Sequence, residues 1–365
     1  MKYKLLLFAF PFFLTSCIKE TILVEPDPNP GPNPNCQEQN TIFGPDNQAA
    51  KIVANLVFAG EVYDFQMLTP DTGYIFGGSP TNSTAVLLKT CNGGKTFGPS
   101  NLKVSFLPIG CHFKDAKTGI VTMQNVEGCP TCINVPTFAI TRDGGSSWSN
   151  GTIANMKGNL YFPRFDEQGR IYAILHNHPS IALVVSEDSG ANWDTLFTSP
   201  DLSFIYQDFA YAIQGEQIYV LGVGGKLFVI DRQGNLEKTL SLPDNFLNNL
   251  HILDAQNMLY SNFNGTQQTK DGGNTWRPLN GTAPHVIAFE SPQKVVVLQS
   301  KGQCGSDIIF SQDALALTTD GGQTYQEAQT PASNLRYIFK GAQRIGQGKH
   351  LAIFGRQLVE LNIPQ

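Results

Sequence analysis

One octapeptide recurs along this chain and constrains its fold more than any other feature. It reads Thr90-Cys-Asn-Gly-Gly-Lys-Thr-Phe97, Thr141-Arg-Asp-Gly-Gly-Ser-Ser-Trp148, Ser186-Glu-Asp-Ser-Gly-Ala-Asn-Trp193, Thr269-Lys-Asp-Gly-Gly-Asn-Thr-Trp276 and Thr318-Thr-Asp-Gly-Gly-Gln-Thr-Tyr325. All three tryptophans of the chain fall at its last position. Such a pattern is a tight turn between two strands. The acid or amide at Asn92, Asp143, Asp188, Asp271 and Asp320 accepts backbone N–H bonds, and the hydroxyl two residues earlier supports it. The glycine two residues later supplies a positive φ that other residues adopt at a cost. The closing aromatic opens the next strand and packs inward. The five acid or amide positions therefore read as structural turn caps, not as catalytic or calcium-binding groups.

Those five positions are 51, 45, 83 and 49 residues apart, and a degenerate copy around Asp231-Arg-Gln-Gly234 divides the long gap into 43 and 40. A period of about 40–50 residues is that of a β-propeller blade. Two runs of aromatic and β-branched residues precede most copies, as in Val62–Leu68 with Gly73–Gly77 and Ile205–Phe209 with Gln217–Leu221. After the last copy the chain supplies only three more strand-like runs: Leu335–Phe339, His350–Phe354 and Gln357–Leu361. The expectation is an all-β, seven-bladed β-propeller of four-stranded antiparallel blades. Its last blade borrows an outer strand from Ala50–Phe58, which closes the ring and leaves no edge.

The repeats resemble the Asp-box (BNR) repeats of sialidases, xyloglucanase-type glycoside hydrolases, sortilin-type receptors and photosystem II assembly-factor-like propellers. The resemblance covers nearly all of residues 41–365 and implies a fold rather than an activity, because in those families the boxes lie away from the functional face. Sialidases resemble one another in an Arg-Ile-Pro segment, an arginine triad and a Tyr–Glu pair, and Phe162-Pro163-Arg164-Phe165 is not that segment. The xyloglucanase-like enzymes use two propellers, and this chain has room for one. The adjacent acids Asp166-Glu167 fall in a turn, where a solvated role is expected. The reading is a non-catalytic propeller that binds or scaffolds a protein or glycan; the alternative is a carbohydrate-active hydrolase with an unrecognised carboxylate site.

The N-terminus reads as an address. Lys2 and Lys4 precede an apolar stretch from Leu5 to Leu14 that is too short to span a bilayer. Leu14-Thr15-Ser16-Cys17 resembles a bacterial lipobox, with Cys17 as the acylated residue. Glu25 to Pro34 alternates proline with polar residues and suits an extended tether. The expected division is a signal peptide over 1–16, a lipidated cysteine and tether over 17–40, and a propeller over 41–365. That places a monomeric head in the bacterial cell envelope, lipid-anchored to the outer membrane. The net charge of −5 and the absence of any basic run exclude a nucleic-acid partner.

Six cysteines remain beside Cys17: Cys36, Cys91, Cys111, Cys129, Cys132 and Cys304. In an exported protein an even count suggests disulfides of undetermined connectivity. Cys129-Pro-Thr-Cys132 reads as a loop staple, with zinc or redox chemistry less favoured, and Cys111 as a partner for one of the two. His176-Asn177-His178 lacks a visible third ligand, so neither a metal nor a cofactor is expected. A ligand would meet the funnel, where the starts of the first strands offer Tyr63, His112, Arg164, Tyr206, Asn249, His285 and Arg336.

Overall fold

The computed structural model describes residues 50–56, 61–79, 84–100, 102, 107–124, 135–177, 179–202, 211–244, 249–262, 265–279, 285–303, 311–333, 339–346 and 348–362. These form seven four-stranded antiparallel sheets, the blades of a propeller. Blade one comprises Glu61–Met67, Gly73–Ser79, Thr84–Thr90 and Gly98–Pro99, and blade two Leu107–Phe113, Gly119–Gln124, Thr137–Thr141 and Ser149–Thr152. Blade three is Asn159–Phe165, Ile171–Asn177, Ser180–Ser186 and Asp194–Thr198; blade four is Tyr211–Gln214, Gln217–Leu221, Lys226–Asp231 and Leu236–Ser241. Blade five is Asn249–Ile252, Met258–Asn262, Gly265–Thr269 and Arg277–Pro278; blade six is His285–Phe289, Val295–Gln303, Ser311–Thr318 and Gln326–Ser333. Blade seven takes three strands from the C-terminus, Phe339–Gly346, Lys349–Phe354 and Gln357–Asn362, and its outer strand, Ala50–Asn55, from the N-terminus.

The expected closure is therefore present. Ala50 pairs with Leu361 and Asn55 with Gln357, and the Leu56 N–H extends the ladder to the Arg356 carbonyl at 2.7 Å. Two of the runs expected as inner strands lie wholly or partly outside the described residues. They are Ile205–Phe209 and residues 335–338; the described inner strands are Tyr211–Gln214 in blade four and Phe339–Gly346 in blade seven.

Burial explains why the sheets stand upright around a ring. Each of the seven apolar clusters among the described residues joins two neighbouring blades. Tyr74, Phe76 and Leu87 of blade one, for example, pack against Phe113, Val121 and Met123 of blade two. The seventh cluster joins Leu351, Ile353 and Leu358 of the last blade to Val62, Met67 and Ile75 of the first. Apolar area removed from water between the blades, at about 25 cal/mol per Å², is the main force that holds such a ring.

The recurrent turns form as their residue types require. Thr141 donates from Oγ1 to Asp143 Oδ1 at 2.9 Å and accepts the Gly145 N–H at 2.8 Å. Asp143 in turn accepts the Ser147 N–H at 2.8 Å and the Ser147 hydroxyl at 2.5 Å. Asp188, Asp271 and Asp320 repeat the scheme with Asn192, Thr275 and Thr324, and Asn92 repeats it with its amide. The degenerate copy keeps Asp231 with Asn235 but has Val229 where the hydroxyl would stand.

The second glycine of the turn does two jobs. Gly94 has φ +84°, and a Cβ there would overlap Leu358 of blade seven. Gly273 has φ +90°, and a Cβ would lie 2.7 Å from Leu240 Cδ1 of blade four. The turn thus sits against the preceding blade as well as between its own strands, which is why the motif marks an assembled ring and not an isolated hairpin.

Candidate functional site

Five of the seven inner strands carry a one-residue bulge among the described residues, at Tyr63, Ile109, Phe162-Pro163, Ile287 and Lys340. A bulge re-aims every side chain that follows it. Downstream of the first three lie Asp64 and Gln66, His112, and Arg164. Arg164 Nη1 of blade three reaches Asp64 Oδ2 of blade one at 3.9 Å, past the whole of blade two. Only side chains that face the centre of the ring can meet in that way, so this pair marks the wall of the central channel. Both remain partly open to solvent, with side-chain exposures of 29% and 20%.

The groups around the pair are held by backbone hydrogen bonds across blade seams. Gln66 accepts the Phe113 N–H on Oε1 at 2.7 Å and donates from Nε2 to the Phe113 carbonyl at 2.7 Å. Gln343 of blade seven does the same for Met67 of blade one, at 2.6 Å for both bonds. His112 accepts the Phe165 N–H on Nδ1 at 3.2 Å. Arg164 follows a strained bulge. Phe162 has φ +54°, unusual for a bulky residue, and the Tyr211 hydroxyl of blade four clamps it by donating to the Phe162 carbonyl at 2.7 Å. Beside the pair, burial pushes the Cys111 thiol well above its usual range.

A second buried charge cluster ties blade three to blade four. The Asp166 carboxylate is fully buried, not solvated as expected. It accepts from Arg170 Nε at 2.7 Å and from Arg232 Nη1 at 3.2 Å. Burial pushes the carboxyl up, and the Arg170 hydrogen bonds together with both guanidinium charges outweigh that and leave it below the ordinary carboxylate range. Glu167 alone is exposed. Arg232 comes from the degenerate turn, so that copy lost its hydroxyl but contributes a guanidinium to the seam.

The expected funnel residues separate into three groups. Asn249 and His285 are the first described residues of their inner strands. His112 and Arg164 are instead the next-to-last residues of theirs, and Tyr63 is a bulge residue whose ring tilts against Phe76 at 6.3 Å. Tyr206 and Arg336 lie outside the described residues. Asp64, Gln66 and Gln343 were missed, although Asp64 and Gln66 alternate with Phe65 and Met67 inside a β run, a pattern that marks a polar face on an otherwise buried strand. Cys91 and Cys111 carry free thiols, exposed and buried respectively, so the disulfide expectation is not met at these two. Cys36, Cys129, Cys132, Cys304, Cys17 and His178 lie outside the described residues. Among the described residues no group of three or more His, Cys, Asp or Glu side chains converges as a metal site would.

The fold is that of a single seven-bladed propeller. Solved structures agree. YCF48 bound to D1 peptide superposes with a TM-score of 0.62 at 17% identity, covering 89% of this chain and 100% of that one. YCF48 from Cyanidioschyzon merolae gives 0.62 at 14%, covering 86% and 99%. The GH74 xyloglucanase from Xanthomonas campestris gives 0.57 at 12%, covering 86% of this chain but 53% of its own, so this chain spans about half of that enzyme. At these identities the likeness concerns the fold alone. No protein-family model and no curated protein sequence matches the chain at a significant level.

Two histidines, the partly buried His112 and the buried His350, give the molecule an acid-sensitive stability. Burial, with Arg164 adding to it, holds His112 well below its usual 6.5. Burial also lowers His350, opposed by Glu290 and reinforced by Arg344 and Lys294. For both groups the folded pKa lies below the unfolded one. Their stabilisation is therefore complete above about pH 6.5 and is lost as the pH falls toward the folded values. The turn carboxylates act lower. Hydrogen bonds from Ser147 and Thr275 hold Asp143 and Asp271 at about 2, so their contribution persists above about pH 4 and disappears toward pH 2. The melting temperature should fall in two stages on acidification, and His112→Gln should shrink the first stage only. A melting temperature that rises between about pH 7 and 5 contradicts this assignment.

Proposed function

We propose that this chain is an exported, lipid-anchored Asp-box propeller that binds or scaffolds a protein partner at the bacterial envelope and catalyses no reaction. The observation that carries this reading is how the carboxylates are disposed. Those of the recurrent turns are spent on their own loops. Among the described inner strands the only acids are Glu61 and Asp64, both on blade one. A paired-carboxylate hydrolase needs two acids facing each other across a substrate, about 5–9.5 Å apart. The channel offers instead an arginine, a histidine and an amide, which are groups of recognition. That a single propeller of this form, YCF48, is described bound to a D1 peptide supports a peptide-like partner here. The glycoside-hydrolase reading draws on the xyloglucanase likeness, and that likeness covers about half of the enzyme.

The test is quantitative cross-linking in intact cells, followed by purification of wild type and Arg164→Gln. One protein should be enriched with wild type and lost with the variant. Identical adducts from both, or release of sugar from envelope glycans by the purified chain, would overturn the reading.

The anchor is tested separately. Acylation at Cys17 should carry the wild type into the detergent phase on phase separation, because two or more acyl chains bury many CH₂ groups. Cys17→Ser should remain in the aqueous phase. Partitioning that survives the substitution would remove the lipoprotein from the proposal.

A further inference from the structure

The seams of the ring are not tied alike. Gln343, Gln66 and His112 hold one register position in their inner strands, opposite Leu351, Tyr74 and Ile120. From it each grips the backbone of the next blade, at Met67, Phe113 and Phe165. Blades four and six have alanine there: Ala212, opposite Tyr219, and Ala288, opposite Val296. An alanine side chain has no polar atom with which to reach across. Gln214 Nε2 ties blade four to blade five instead, through the Leu253 carbonyl at 2.9 Å. Between blades six and seven stands a titratable pair. His350 Nε2 of blade seven faces Glu290 Oε1 of blade six at 3.8 Å, beyond hydrogen-bond distance.

We propose that the seam between blades six and seven is an acid-operated switch, in which a proton on His350 parts the two blades while the rest of the ring stays closed. His350 is 4% exposed, and Ala352, Phe354 and Leu361 beside it pack against Ile287, Leu298 and Leu317 of blade six. Among the described residues, Glu290 and Lys294 face the imidazole from the first turn of blade six, and Arg344 from the inner strand of blade seven. Its ladder partner on the third strand, Leu361, is apolar, and Lys349 next to it is paired with Glu360 at 3.6 Å. Lys294 Nζ approaches Glu290 Oε2 at 3.2 Å. A neutral ring thus meets two cations and one anion, and a proton adds a third cation out of reach of bulk water. Parting the blades hydrates that charge. Burial accordingly holds the ring below its usual 6.5, with Glu290 opposing and Arg344 and Lys294 reinforcing. Closure is therefore complete above about pH 6.5 and weakens as the pH falls toward the closed-state value. Opening bares the apolar side chains sealed in the seam. The switch is a property of the ring, so failure of partner capture leaves it standing.

The test is thiol labelling of the full chain in detergent micelles, at about pH 7.5 and about pH 5. The Ala352→Cys variant places a thiol in the seam, and the native Cys111, buried between blades one and two, is the internal reference. A pyridyl disulfide labels both thiols, and peptide mass spectrometry reads the ratio of their rates. Acidification should raise that ratio about threefold or more. With His350→Gln added, the ratio should not change with pH. Glu290→Gln should enlarge the rise, because the anion that favours the charged ring is gone, and Lys294→Gln should shrink it. Those opposite signs separate the switch from a general loosening, and they keep the test decisive where His350→Gln fails to fold. A ratio equal at both pH values, a rise kept in His350→Gln, or changes of one sign in Glu290→Gln and Lys294→Gln overturns the proposal.

Discussion

Removing residues 41–58 should destabilise blade seven more than any other part of the molecule, although almost 300 residues separate the deleted segment from that blade. The outer strand Ala50–Asn55 would be lost from the ladder with Gln357–Asn362. Leu56, 3% exposed in the intact ring, and the partly buried Val53 and Ala54 pack with Leu351, Ile353 and Leu358 at the seam with blade one. Ile52 packs on the other side, against the cluster shared with blade six. Removing them strips apolar cover from two seams at once and bares a sheet edge. The Gln343 bonds to Met67 would still tie the closing seam. The deleted form should melt well below the intact chain and populate oligomers through the bared strand. An unchanged melting temperature would mean that blade seven stands without its borrowed strand.

Trp193→Ala should be the costliest of the tryptophan substitutions, at about 3–5 kcal/mol. Trp193 is 3% exposed, sits within 5.8 Å of the Phe138 ring in the cluster between blades two and three, and donates from Nε1 to the Gly190 carbonyl at 3.2 Å. Trp148 and Trp276 occupy the same motif position but are only partly buried. Trp148 meets the Phe113 ring edge-on at 6.3 Å, and its truncation should cost less. Trp276 packs on Tyr260 at 5.0 Å while its buried Nε1 has no hydrogen-bond partner. Trp276→Phe keeps the packing and removes an orphan donor, so it should be near neutral. Chemical denaturation of the variants measures the order. Equal losses at Trp193 and Trp148 would show that burial of the motif aromatic does not govern blade stability.

The fold was legible because its determinants are local and repeated. A Thr–Asp–Gly triplet must turn the chain wherever it occurs, and five copies at propeller spacing leave little choice of architecture. Even the closing strand could be read, since three C-terminal runs lacked a fourth. The channel was less legible. His112 and Arg164 were named as funnel residues, but by position along a strand, and bulges that leave no mark in the sequence decide which side chains face the centre. Asp166 shows the same limit from the other side. Its partner Arg232 lies 66 residues away and was hidden in the least conforming copy of the motif.

A closed ring is what holds seven inner strands around one channel, and native-state hydrogen exchange on the intact chain tests that closure most directly. Amides of Ala50–Asn55 and Gln357–Asn362 should exchange together, at the slow rate set by global opening, as members of one cooperative unit. Rapid exchange of Ala50–Asn55 while Gln357–Asn362 stays protected would contradict closure, and with it the seven-bladed channel on which the functional reading stands.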